Sequence, residues 1–87
     1  RATEAAGFMA CMAEALRNGK SVTDEAVHDA ISKHIQNMKN DMEIDAAGFA
    51  AQSRFLMNDE FHRHMLEGQQ TGLSYYICFA AESFAAK

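Results

Sequence analysis

Proline and tryptophan are absent from this 87-residue sequence, and cysteine occurs only twice. Without proline nothing interrupts a helical hydrogen-bond ladder, and abundant alanine costs least to order, so the default is an all-α domain. Cys11 and Cys78 are too few and too far apart for a zinc cluster, a dithiol redox motif or the disulfide framework of a small secreted domain. They read as reduced and buried in a cytoplasmic protein, while a disulfide between them would close a long loop worth about 4 kcal/mol in the chain-entropy model. The longest uninterrupted apolar run, Tyr75 to Ala81, has seven residues, far short of the ~20 that span a bilayer. No secretory signal pattern is visible, and a chain opening on Arg1 is compatible with a removed leader.

Positive charge is also scarce. A formal net charge of −4 and a pI near 5.4 oppose a nucleic-acid partner, which requires a cationic surface to displace counterions from phosphate. The basic residues are scattered as on solvated helix faces. Hydrophobic residues make up 48% and charged residues 23%, close to globular averages, which excludes disorder. Residues 1–87 form one domain, and a chain of this size buries only about 60 to 65% of its unfolded surface.

Apolar residues at three- and four-residue steps lay out the helices. Thr3 caps the first, Ala5, Phe8, Met12, Ala15 and Leu16 line one side of it, and Asn18-Gly19 ends it. Ser21-Val-Thr-Asp-Glu starts the second, with Thr23 as the expected cap. Val27, Ala30, Ile31, His34, Ile35, Met38 and Met42 give this helix the best amphipathic record in the chain, and it is expected to reach Asn40 or beyond. The short connection makes the first two helices an antiparallel hairpin. Asp41 to Glu43 mark a turn or a frayed end, and Asp45 caps a third helix that presents Phe49, Ser53, Leu56 and Met57. Continuing that stripe would place Glu60 in the core, so a break near Asn58 and a short fourth helix with Phe61, His64 and Met65 inward are expected.

The last stretch, Thr71 to Ala86, is apolar on more than one face. Leu73, Tyr76, Ile77, Ala80 and Phe84 form one stripe, and Tyr75, Cys78 and Phe79 fall outside it. Tyr75 to Phe79 favour a strand locally, but the alanines around them and the lack of a partner strand favour helix.

Chemical motifs are weak. Glu25-Ala-Val-His28 and Asp59-Glu-Phe-His62 approximate the Glu-x-x-His spacing of di-iron bundles. Both read instead as an acid at a helix start beside a surface histidine, so no metal and no cofactor are expected. His34 and His64 lie on apolar stripes as core or interface histidines, with a pH-sensitive interface near Glu60 as the sharper alternative. No serine sits in a Gly-x-Ser-x-Gly elbow, and neither cysteine has a local base. Six methionines lie on or beside the stripes, suiting core gaps and adaptable binding surfaces alike.

The sequence therefore reads as a compact bundle of four or five short helices, built on a helical hairpin and dimeric, with the last helix near the twofold axis. The expected role is non-enzymatic: a small cytoplasmic regulator or adaptor that binds a larger protein through an apolar helical surface, inhibition of a transcription factor being one form. Tyr75, Tyr76, Cys78, Phe79 and Met65 are the candidate interface residues. The partners are a second copy and a larger protein, with no nucleic acid and no membrane. The alternatives are a helix-turn-helix DNA-binding protein, opposed by Asp24 and Glu25 at the start of the second helix, and a metal-binding bundle. Over residues 8 to 57 the layout is similar to that of small bacterial helical-hairpin regulators, without a motif that defines a family.

Overall fold

The computed structural model describes residues 2–40 and 42–87. Five helices follow in order: α1 (Ala2–Arg17), α2 (Glu25–Met38), α3 (Ala46–Asn58), α4 (Glu60–Gln69) and α5 (Leu73–Ala85), with no strand among the described residues. α5 packs against each of the other four helices, and α1 packs against α2 as the short connection requires.

The α1–α2 turn is closed by backbone geometry. Gly19 takes a φ of 74°, and the N–H groups of Gly19 and Lys20 donate back to the carbonyls of Leu16 and Ala15, the paired bonds of a Schellman ending. The cap of α2 is Asp24 and not Thr23: the Asp24 carboxylate accepts from Ala26 N–H at 2.8 Å, while Thr23 is held in the preceding turn by Ser21. Thr3 lies inside α1, which begins at Ala2. α2 ends at Met38, short of the expected Asn40, so Met42 leaves the stripe and is exposed. The turn expected at Asp41 to Glu43 includes Asp41, which lies outside the described residues. Asp45 caps α3 as expected, accepting from Gly48 N–H at 2.8 Å.

The core follows the stripes of α1, α2 and α5. Phe8, Met12 and Ala15 meet Val27, Ile31 and Ile35 and the α5 residues Leu73, Tyr76, Ile77 and Ala80. Ala13 and Ala50 join them, and their small side chains permit close helix approach. Cys78 also belongs to the interior, with none of its surface exposed.

α5 begins without a side-chain cap of its own, because Gly72, at φ 86°, occupies the N-cap position. Glu67 of α4 supplies one from outside. Its Oε1 accepts from Gly72 N–H at 2.7 Å, and its Oε2 accepts from Ser74 N–H at 3.0 Å and Ser74 Oγ–H at 2.7 Å. The bond from Gly72 outweighs partial burial and, with Ser74 and nearby Arg63, holds the Glu67 carboxyl below its ordinary value. A carboxylate shifted in this direction stabilises the fold above the unfolded-state value, and that contribution disappears as pH falls through the lowered folded value. Glu67→Gln should therefore lower the unfolding free energy by about 1–2 kcal/mol at neutral pH. In urea titrations the difference from wild type should shrink below about pH 4.

Candidate functional site

Seven α5 residues, Leu73, Ser74, Tyr76, Ile77, Cys78, Ala80 and Ala81, are buried, and they cover most of the helix circumference. The open sector is narrow and aromatic. Tyr75 and Phe79, one turn apart, are 47% and 46% exposed, with ring centroids 6.5 Å apart and planes tilted by 32°. Of the five candidate interface residues, these two form the accessible part of α5. Tyr76 points inward and donates its hydroxyl to the Lys20 carbonyl at 2.9 Å, with burial raising its phenol above the ordinary value. Cys78 is enclosed, burial raises its thiol, and its Sγ lies 3.8 Å from Glu82 Oε2. Beside this sector Arg54 of α3 donates from Nε to Glu82 Oε2 at 2.8 Å, tying the two helices at the surface.

Met65 is also exposed, on α4 and together with Phe61 at 71%. The expectation that Phe61, His64 and Met65 point inward is corrected here. Asp59 has an extended backbone, φ −83° and ψ 117°, so the chain changes direction between α3 and α4 and the apolar phase of α3 is lost. Leu66 becomes the buried residue of α4. Phe61 and Met65, with Glu60 and His64, instead line a shallow outer concavity.

The histidines divide differently from the expectation. His28 is not at the surface but 3% exposed, since His28, Ile31 and Ile35 share a stripe at three- and four-residue steps. Its Nε2–H donates to the Val22 carbonyl at 2.9 Å, with Ser83 Oγ 3.2 Å from the same nitrogen. The proton demanded by that carbonyl stops Nε2 from serving as a base for Ser83. Among the described residues the buried Nδ1 has no hydrogen-bond partner. His34 stacks on Phe8, with ring centroids 4.1 Å apart and planes within 5°, meets Phe49 edge-on, and has Nδ1 2.9 Å from Glu4 Oε2. Burial raises Glu4, but the hydrogen bond and charge of His34, helped by Asn37, outweigh it and leave the carboxyl below its ordinary value. His34 therefore joins α1, α2 and α3. His62 pairs with the α4 cap, its Nδ1 2.6 Å from Asp59 Oδ2, and that bond lowers the Asp59 carboxyl.

Among the described residues no three His, Cys, Asp or Glu side chains gather as a metal-ligand set, and no helix is long and apolar enough to cross a membrane. A shallow concavity of about 840 Å³ lies at the α2–α3 connection among Lys39, Met42, Glu43, Ile44, Asp45, Gly48 and Gln52. It places no nucleophile beside a base. The fold and its surfaces define the described residues as a five-helix all-α bundle with exposed aromatic side chains on α3, α4 and α5. No family model, curated protein or solved structure matches it.

Cys11 is exposed where burial was expected, and both thiols are free. Labelling of the folded protein with a thiol reagent should modify Cys11 at the rate of an open thiol and Cys78 only through unfolding. Mass spectrometry with and without urea reads both.

Proposed function

We propose that this protein is a small non-enzymatic regulatory or adaptor module that binds a larger protein through an apolar helical surface, with Tyr75 and Phe79 of α5 as its anchors. The observation that carries this reading is the pair of half-exposed aromatic rings on a helix otherwise almost wholly enclosed. Aromatic side chains bring large contact area at low conformational cost and dominate binding hot spots. Their backbone is held by the core beneath them, so little ordering remains to be done on binding.

The occupant most consistent with the rings is an amphipathic helix or an apolar groove of the partner. The Arg54–Glu82 pair at the edge adds a polar rim. A net charge of −4 favours a partner with a basic margin, because opposite fields speed encounter. Inhibition of a transcription factor, by covering one of its surfaces, is a concrete form of this role.

Affinity capture from the native host with wild type, Tyr75→Glu and Phe79→Glu tests the proposal. A specific protein should be retained by wild type and lost from both variants, while circular dichroism shows all three folded. Retention of the same protein by Phe79→Glu at full strength would move the binding surface elsewhere.

A further inference from the structure

α1, α2, α3 and α5 bury at least three side chains each, and α4 buries one. Seven of the ten residues of α4 are exposed, and Leu66 alone is buried. Two inward groups fasten the helix: the Leu66 side chain in the core, and the Glu67 carboxylate with its three bonds to Gly72 and Ser74. A helix of this length is marginal in water once its packing is lost. Gly68 weakens it further, because glycine inside a helix is destabilising relative to alanine, and neither a positive φ nor a close neighbour requires one there.

The rest of the bundle does not need α4 to hold together. α4 packs against α3 and α5, its neighbours in the chain, whereas α3 packs directly on α5. The contacts of α5 with α1, α2 and α3, and of α1 with α2, are all retained when α4 leaves. What then joins α3 to α5 is a loop from Asp59 to Gly72, whose ends the remaining helices keep in place. Closing a loop of this size costs little more than closing a short one. The hinges are already built: Asp59 and Gln70 have extended backbone, and Gly72 takes a φ of 86°.

We infer that α4 is a detachable strap: it opens and melts as one unit while α1, α2, α3 and the body of α5 stay folded, uncovering the core site that Leu66 fills. The same opening frees Gly72 N–H and Ser74 N–H, since both are held by Glu67. Closed, α4 stiffens the first turn of α5, which carries Tyr75; open, it releases that turn and leaves Ile77 to Ala81 enclosed. Local cooperative units of this kind open at free energies below that of global unfolding. The inference concerns the motion of the chain itself and does not depend on what Tyr75 and Phe79 bind.

Native-state hydrogen exchange of the whole chain tests this in wild type, Glu67→Gln, Gly68→Ala and Ile31→Val, with circular dichroism confirming the fold of each. In wild type the amides of His64 to Gln70 should be about tenfold or more less protected than those of Ile77 to Ala81, with little dependence on low urea. Gly72 and Ser74 should exchange with the α4 group, although Ser74 is only 2% exposed. Glu67→Gln should speed the α4 group by about 5- to 30-fold, and Gly68→Ala should slow it by about 2- to 5-fold. Ile31→Val, which weakens the hairpin core away from α4, should speed Ile77 to Ala81 by about 2- to 10-fold and leave the α4 group unchanged. Equal protection of α4 and Ile77 to Ala81, a Ser74 amide that follows the core, or an α4 group accelerated by Ile31→Val as much as the core would each overturn the inference.

Discussion

The need to enclose α5 governs the fold. Most of this helix's circumference is buried, and a single packed neighbour covers only one stripe of a helix. The chain meets this requirement by packing each of its other four helices against α5. The α1–α2 hairpin contributes Met12, Val27 and Ile31 to the enclosure, α3 contributes Phe49 and Ala50, and α4 contributes Leu66. Glu67 then fixes where α5 begins, because Gly72 has no side chain with which to do so. The short loop between α4 and α5 is thus held by three hydrogen bonds to one carboxylate.

This centring explains why some elements were legible in the sequence and others were not. The hairpin was legible because Phe8, Met12, Val27, Ile31 and Ile35 repeat at helical steps and Asn18-Gly19 is a strong stop signal. The helical state of α5 was legible through Ala80, Ala81 and Phe84 despite the β-favouring Tyr75 to Phe79. The inward phase of α4 was not. Its largest apolar residues mark the outer face, and only the change of direction at Asp59, a tertiary feature, decides which side turns in. Choosing Thr23 over Asp24 as a cap differs by one residue among three capable side chains, which composition does not resolve. The burial of His28 could have been found from its spacing to Ile31 and Ile35, but a polar residue at the edge of a stripe is normally assigned outward. Nothing local announces the Glu67 contact, since a carboxylate near a helix end ordinarily faces water.

Large apolar side chains remain exposed on α3 (Phe55), α4 (Phe61 and Met65) and α5 (Tyr75 and Phe79) of the finished bundle. On α5 the rings of Tyr75 and Phe79 stand on backbone that the core holds rigid, an arrangement suited to a specific anchor. On α4 the exposed ridge is made by Phe61 and Met65. His34, stacked on Phe8, edge-on to Phe49 and bonded to Glu4, belongs to the scaffold that joins α1, α2 and α3.

Native-state hydrogen exchange tests the central role of α5 most directly. If every other helix packs around it, the amides of Ile77 to Ala81 exchange only through global unfolding, with protection free energies equal to the stability measured by denaturant. Faster exchange there than in α1 and α2, by a subglobal opening that leaves the hairpin protected, would contradict the account.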